Sequence, residues 1–254
     1  MPRRLRVDMV GYYHVLNRGV EQRKIYKDDE DFLRFLKIVC DASMLFEVNV
    51  HSYVLMNNHY HLLIETKKEN LSKYMKQINA TYAIYFNKKY KRSGYLWQGR
   101  YKSWYVTDEA YLYTLIRYIE NNPIKAKIVS RLGKYKFSSY NAFVKKDRAV
   151  ECIKNSIMFE QFEIIKDMEE FFELSVDDDM LLEIKKSSNL VIASIKNEES
   201  STKKLRGIFK KEKNRDSAIF KAYKEGCTQT DIAEFLGLSQ ASVSKIVKKM
   251  KDEL

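Results

Sequence analysis

The stretch VNVHSYVLMNNHYHLLIE, residues 48–65, predicts two adjacent β-strands joined across Asn57 and Asn58, residue types that tolerate a tight turn. On both sides of it the chain alternates between strand-like and helix-like patterns. The other predicted elements are a strand at 12–20, helices at 28–46 and 70–90, a strand or hairpin at 94–106, and a helix at 108–122 that Pro123 ends. This order predicts an α+β fold, a ferredoxin-like antiparallel sheet covered by helices.

Charge divides the chain into three parts. The 254 residues include 46 lysines and arginines against 34 aspartates and glutamates, a net charge of +12, and the pI is about 9.3. Residues 1–147 carry a net +13, residues 148–200 a net −7 and residues 201–254 a net +6. We therefore predict a basic first domain, an acidic helical segment that ends in the linker KNEESSTKK, and a basic C-terminal domain. A polyanionic partner, nucleic acid or an anionic membrane surface, fits this charge.

The sequence favours a cytoplasmic, nucleoid-associated protein without a membrane partner. No apolar run is long enough to span a bilayer, and the opening MPRRLRVDMVGYY lacks the apolar core of a signal peptide. The three cysteines, Cys40, Cys152 and Cys227, are far apart and odd in number. They predict buried free thiols and neither a disulfide framework nor a zinc ribbon.

His59 and His61 are two of the four histidines in the chain, one residue apart. Because side chains alternate faces along a strand, both imidazoles share a face, with their Cα atoms about 7 Å apart. Each ring can then place a nitrogen about 2 Å from a common ion. The spacing permits a metal site that needs further ligands; the alternative is two strand histidines satisfied by local hydrogen bonds.

The segment TLIRYIENNP, residues 114–123, predicts a second functional cluster on a helix. Tyr118 and Asn122 lie four residues apart, so they stack above one another at the border of the buried stripe. The amide oxygen of Asn122 is a hard ligand suited to a divalent cation. Tyr118 is a candidate nucleophile, because a phenolate leaves phosphorus more readily than an alkoxide and the cleaved bond can be rejoined. An ordinary interfacial core tyrosine is the alternative.

Taken together, these motifs resemble the HUH-type single-strand tyrosine transposases, and among them the REP-associated tyrosine transposases. The matching segments lie within residues 8–145: NNHYHLLIE, RYIENNPIKA, YHVLNRG, GYLWQGRYKS and FSSYNAF. The resemblance implies a divalent ion, Mg²⁺ or Mn²⁺, held by His59, His61 and Asn122. It implies attack by Tyr118 on single-stranded, hairpin-forming DNA, leaving a 5′-phosphotyrosine bond and a free 3′-hydroxyl. It leaves open a homodimer that exchanges its tyrosine helices.

The match has one departure and several weaker correspondences. Those proteins usually have proline where this chain has Asn57, which predicts a slightly different turn. Asn122 matches the REP-associated branch, whereas insertion-sequence members tend to have glutamine there. Arg18, Gln98 and Arg100 lie within matched motifs, where they bind phosphate or a base edge or serve as structural hydrogen-bonding residues.

The C-terminal segment QTDIAEFLGLSQASVSKIVKK has the pattern of a helix-turn-helix. Gly237 permits the positive φ of the turn, and Ser239 can cap the second helix. We predict that this unit binds duplex DNA through the exposed face of the second helix, which includes Gln240, Ser242, Ser244 and Lys245. A small helical bundle that binds protein is the alternative.

These inferences predict a DNA strand transferase. The main rival is a DNA-binding regulator that keeps the same fold and the helix-turn-helix without turnover. A third interpretation is an RNA-binding ferredoxin-like protein with an aromatic stacking surface, which leaves the histidine pair unexplained.

Overall fold

The computed structural model describes residues 7–108, 110–145, 150–162, 164–174, 178–212 and 214–252. The chain divides into two compact units, Arg6–Asn189 and a second that contains Leu190–Leu254. Among the helices of these described ranges, none has the length and apolar character needed to cross a membrane.

A four-stranded sheet forms the centre of the first unit. Its strands are β1 (Gly11–Arg18), β2 (Val48–Met56), β3 (His59–Thr66) and β4 (Lys102–Val106). They lie in the order β2-β3-β1-β4, and each neighbouring pair is antiparallel. The predicted ferredoxin-like α+β fold is confirmed, and Asn57 and Asn58 form the turn between β2 and β3 as expected.

The helices of the first unit are α1 (Asp29–Phe46), α2 (Leu71–Lys89), α3 (Ala110–Lys125), α4 (Tyr140–Val144), α5 (Ile157–Gln161), α6 (Ile165–Glu173) and the beginning of α7 (Asp178–Lys211). The Asp28 side chain caps α1 by accepting from the Asp31 N–H, as acidic and short polar residues do at helix N-termini. The segment between α2 and β4 is irregular, although Trp97 forms an isolated bridge with Gly19. Only the end of the predicted 94–106 strand is therefore a strand.

The two faces of the sheet have different neighbours. Tyr60 of β3 contacts Phe35 of α1 and Trp97, with ring centroids 4.8 and 5.7 Å apart. The opposite face of β3 carries His59 and His61 and packs against α3. The predicted alternation of side chains is confirmed, and it leaves one apolar face for the core and one for the histidines.

Two sequence predictions are wrong, one about where α3 ends and one about a linker. Pro123 does not stop α3, which continues to Lys125. A proline removes the bond to the carbonyl four residues earlier, and here the Asn122 side-chain amide lies 3.4 Å from that Ile119 carbonyl and donates to it. The run KNEESSTKK, interpreted as a linker, is helical and belongs to α7. Its charged residues have good helix propensity, which polar composition alone does not reveal.

The cysteine prediction is also wrong for two of the three residues. Cys40 of α1 and Cys152 form a disulfide across a sequence separation of 112 residues, whereas Cys227 is free and buried. Spacing along the chain gave no sign of this pair, because the fold alone brings α1 beside the turn at Glu151–Ile153.

The second unit is helical in its described residues. It contains the end of α7, α8 (Arg215–Lys224), α9 (Gln229–Leu236) and α10 (Gln240–Asp252). Its buried core includes Leu205, Ile219, Ile232, Val243 and Val247. Gly237 ends α9 at φ +65°, and the Ser239 hydroxyl accepts from the Ser242 N–H at 3.2 Å. The predicted turn and cap are both present.

Candidate active site

Three histidines meet on one face of the sheet. His59 and His61 of β3 have ring centroids 5.2 Å apart. His14 of β1 stacks on His61 with centroids 5.1 Å apart, and its Nε2 lies 2.9 Å from Nδ1 of His61. The sequence analysis did not single out His14, although it lies in the matched motif YHVLNRG.

Neighbouring groups fix the orientation of the two predicted ligands. Asn58 donates its Nδ2 to the Gln22 carbonyl, so its Oδ1 faces Nδ1 of His59 at 2.6 Å. Because an amide oxygen only accepts, Nδ1 of His59 carries the proton and Nε2 keeps its lone pair. At His61 the hydrogen bond with His14 engages Nδ1, and the tautomers of the two rings decide which nitrogen donates. In both rings Nε2 is the nitrogen that takes no part in these hydrogen bonds.

Burial keeps these imidazoles neutral. Desolvation lowers the pKa of His14 to about 3, with a further contribution from Lys185. Burial, together with the neighbouring His14 and His59, lowers the pKa of His61 well below its ordinary value. Burial and then Arg18 lower the pKa of His59. A neutral imidazole is the form that binds a metal.

Helix α3 places Tyr118 against this cluster. The Tyr118 ring meets His61 edge to face at a centroid distance of 5.8 Å and His14 at 6.0 Å. The Lys125 Nζ lies 5.3 Å from the centroid of the same ring, a cation–π contact. A phenol, a cation and the histidine face therefore lie together within one chain.

Asn122 lies one turn after Tyr118 on α3 and is half-buried. Its Nδ2 donates to the Tyr118 carbonyl at 2.7 Å. With Nδ2 engaged by the helix backbone, Oδ1 is the atom of this amide that remains to accept or to ligate.

A buried carboxylate attaches α3 to the sheet. Glu120 is 2% exposed. It accepts from the Ser52 hydroxyl of β2 at 2.8 Å, from the Ser139 hydroxyl and from the Tyr140 N–H at 3.0 Å. Burial raises the pKa of Glu120 to about 7, although the serine hydrogen bonds act in the opposite direction. This carboxylate fixes the helix two residues from Tyr118.

We expect Glu120→Ala to lower the free energy of unfolding by about 3 kcal/mol, because three buried donors lose their acceptor. Glu120→Gln keeps an oxygen for the two serines and should cost clearly less. Urea unfolding of both variants measures the difference. Equal losses for the two variants would show that packing, and not these hydrogen bonds, fixes α3.

The beginning of α7 closes one side of the site. A small cavity of about 50 Å³ beside Tyr118 is lined by His14, Trp104 and Leu115 and by Ile184 and Lys185 of α7. The Ser188 hydroxyl accepts from the Tyr105 N–H at the edge of the sheet. The α7 side of the histidine cluster is therefore closed.

A basic groove lies at the end of β1. Arg18, Gln98 and Arg100 line it together with Lys102, Asn17 and neighbouring residues, and its volume is about 300 Å³. Arg18 donates through Nε to Gln98 Oε1, and it pairs with His59 in the β1–β3 register. The three residues that the sequence analysis linked to DNA thus lie in one groove that begins beside the histidines.

In the second unit the predicted recognition residues divide into two kinds. Gln240, Ser244 and Lys245 are exposed on α10. Ser242 is half-buried, and its hydroxyl bonds to the Ser239 hydroxyl at 2.8 Å. Ser242 is thus only partly exposed, because its side chain takes part in the N-terminal cap of the helix.

Across the described residues, no group of three or more His, Cys, Asp or Glu side chains is arranged to hold a metal ion. The predicted third ligand is an asparagine, outside those residue types. His14, Asn58, Lys125 and Glu120 are the neighbours that sequence reasoning missed.

Comparison with known families identifies both units. Residues 9–122 match the family model described as IS200-like transposase, and residues 219–253 match that of winged helix-turn-helix DNA-binding domains. The first unit thus defines a transposase-like DNA-processing protein. The part of the chain at residues 9–122 belongs to the IS200-like, or Y1, transposase family.

Solved structures show only distant likeness. A REP-associated tyrosine transposase bound to a REP hairpin is 16% identical, with 57% of this chain and 86% of that chain covered and a TM-score of 0.47. A Deinococcus radiodurans R1 protein described as a transposase is 18% identical, with coverages of 48% and 97% and a TM-score of 0.34. The tRNA(His) guanylyltransferase of Saccharomyces cerevisiae is 8% identical, with coverages of 71% and 80% and a TM-score of 0.36. No curated protein sequence matches the chain.

Proposed function

We propose that this protein is a metal-dependent single-stranded DNA endonuclease and strand transferase of the REP-associated type, acting on hairpin or palindromic DNA. The observation that carries the proposal is the position of the Tyr118 ring, 5.8 Å from the His61 ring on the face that also carries His59. The tyrosine and the histidines lie together within this chain; a homodimer that exchanges its tyrosine helices stays a prediction.

In the proposed reaction the Tyr118 Oη attacks the scissile phosphorus. The new bond joins the phenolic oxygen to the 5′-phosphate, and the bond from phosphorus to the 3′ oxygen breaks. The phenolic proton is released and the departing 3′ oxygen takes up a proton, so the protons balance. The energy of the broken phosphodiester bond is conserved in the new phosphotyrosine bond. Attack by a 3′-hydroxyl on the phosphotyrosine reverses these steps and joins two strands. Lys125 supplies positive charge beside the phenol.

The donor set fits a divalent cation, Mg²⁺ or Mn²⁺. The ligands would be Nε2 of His59, Nε2 of His61 and Oδ1 of Asn122, because Nδ1 of each histidine and Nδ2 of Asn122 are already hydrogen-bonded. Such an ion supplies charge neutralisation on the phosphate oxygens. His14 and Asn58 hold the two rings through their Nδ1 atoms.

The positive charge of the groove would bind the phosphates of the DNA substrate. Arg18 and Arg100 line the groove that leads to His59 and would contact phosphates, with Gln98 available to a base edge or a phosphate. The second unit would bind duplex DNA nearby. This tethers the single-strand site to its locus and raises its effective concentration there.

We expect Lys245→Ala to weaken duplex binding and to lower the slope of log affinity against log salt by about one, as loss of one phosphate contact does. Ser242→Ala should leave that slope unchanged, because Ser242 bonds within the cap. Fluorescence anisotropy of a labelled duplex at several salt concentrations measures both. An unchanged slope for Lys245→Ala would remove this residue from the interface.

The proposed function is tested by incubating the full chain with a labelled hairpin DNA and Mn²⁺ and looking for a covalent protein–DNA adduct. The rival function, a silent regulator, predicts DNA binding through the same residues without an adduct. Chelation of divalent ions should abolish the adduct and leave duplex binding by the second unit intact.

A further inference from the structure

A second, larger cavity lies next to the basic groove, between α2 and the segment before β4. Its volume is about 580 Å³, and its walls include Met75, Ala83, Leu96, Trp97 and Tyr101. We call it the aromatic cavity. This size falls within the range of about 300–1,000 Å³ found for small-molecule sites. No part of the reaction proposed above uses it.

The shape of the cavity comes from small residues and a fixed indole. Ala80 and Ala83 of α2 and the glycines at 94 and 99 leave space where larger side chains would fill it. The Trp97 Nε1 donates to the Asn79 carbonyl at 2.9 Å, and on the core side the ring meets Tyr60. The indole is therefore held in place while it also lines the cavity.

The rim carries aromatic and positive groups. Tyr95 is 88% exposed and lines the cavity together with the cations Lys76 and Arg100. Among the described lining residues of this cavity and of the basic groove there is no carboxylate. An apolar interior with an exposed aromatic ring and cations at its mouth matches a nucleobase attached to its phosphate, and an apolar peptide would need no such cations.

The two spaces adjoin each other. Asn17, Gly99 and Arg100 line both the aromatic cavity and the basic groove, and the groove begins at Arg18 beside His59. A strand that runs along the groove from the histidines would reach the mouth of the cavity. In a duplex each base is stacked on both faces, so only an unpaired base can turn into it.

We propose that the aromatic cavity binds one unpaired base of the DNA strand close to the scissile phosphate. The inference rests on the proposed function and adds a subsite to it. Trp97 and Tyr95 supply the stacking surface, and Lys76 and Arg100 contact the flanking phosphates. The polar groups at the base of the cavity bond to one another, as Asn17 Nδ2 does with Asn79 Oδ1 and the Gly99 carbonyl. The site therefore selects a base by stacking more than by its hydrogen-bonding edge.

Gly99 provides a direct way to fill the cavity. A Cβ built on this residue meets no atom within 4 Å, and its φ lies outside the positive range that penalises other residues. Gly99→Phe should fold normally and place a ring at the wall shared with the groove. Tyr95→Ala removes the exposed ring by a second route. Ile84→Ala, a 69% exposed residue of α2 outside the lining, is the matched control.

The experiment measures affinity by fluorescence anisotropy with full-length protein carrying Tyr118→Phe, so that no adduct forms. The DNA is a hairpin with a short unpaired flank, compared with versions that are abasic at one flank position at a time. We expect one position at which the abasic change weakens binding about tenfold, the size of one lost stack. Exchanging one base for another there should cost less.

In the Gly99→Phe and Tyr95→Ala backgrounds, intact DNA should bind about as weakly as abasic DNA does to the parent, and the abasic effect should disappear. Ile84→Ala should keep the full effect. An unchanged ratio of intact to abasic affinity in Gly99→Phe would overturn the proposal, as would a flank without any sensitive position. Adduct formation by the protein with Tyr118 intact is measured in parallel. If an adduct forms but no abasic position weakens binding, only the subsite is contradicted. If an abasic position weakens binding but no adduct forms, only the proposed reaction is contradicted.

Discussion

Tyr118→Phe is expected to lower the yield of covalent protein–DNA adduct by at least about 10³-fold, to background, because it removes the one atom that bonds to phosphorus. The ring is kept, so its edge-to-face contacts with His61 and His14 persist. DNA affinity should therefore change little, by less than about threefold. Denaturing electrophoresis of a labelled hairpin after reaction with Mn²⁺ measures the adduct.

Tyr113→Phe is the matched control for that variant. Tyr113 lies on the same helix, and its hydroxyl donates to Gln161 Oε1 at 3.0 Å, away from the histidine cluster. It should form adduct like the unsubstituted protein. If Tyr118→Phe still forms adduct and Tyr113→Phe does not, the nucleophile has been assigned to the wrong tyrosine of α3.

The second large effect concerns the divalent cation. His61→Ala should abolish Mn²⁺ binding within the measurable range of isothermal titration calorimetry, since it removes one of three proposed ligands. His14→Phe should weaken Mn²⁺ binding by about 10–100-fold, the usual cost of losing a group that orients a ligand. His14→Gln offers an amide group to Nδ1 of His61 and should recover much of that loss.

The fourth histidine serves as the control for metal binding. His51 of β2 is buried, and its Nδ1 accepts from the Ile157 N–H. His51→Gln should therefore leave the Mn²⁺ affinity unchanged even if it costs stability. Unchanged Mn²⁺ binding by His61→Ala would contradict the proposed metal site. Equal losses for His14→Phe and His14→Gln would mean that His14 acts by packing and not by its hydrogen bond.

The part of the site that lies within one element was predictable from the sequence. The period of a strand places His59 and His61 on one face, and the period of a helix places Tyr118 above Asn122, so counting along the chain was enough. The order of elements also sufficed for the sheet, because short connections between adjacent strands leave few topologies.

The part that depends on contacts between elements was not predictable. His14 reaches His61 only through the β1–β3 register, in which Leu16 faces His61, and no spacing along the chain reveals that register. The same holds for Glu120 with Ser52 and for Cys40 with Cys152. The predictions of a helix end at Pro123 and of a linker at 196–204 failed for a different reason. In both segments the local signals for a break were outweighed, by side-chain hydrogen bonding in the first and by helix propensity in the second.

The most direct test is to digest the protein–DNA adduct with protease and locate the linked nucleotide by mass spectrometry. The account predicts one modified peptide, containing Tyr118, that carries the 5′-phosphate of the cleaved strand, while the other fragment ends in a 3′-hydroxyl. A 3′-phosphate on the tyrosine, linkage at another residue, or hairpin DNA bound in the presence of Mn²⁺ and never cleaved would contradict it.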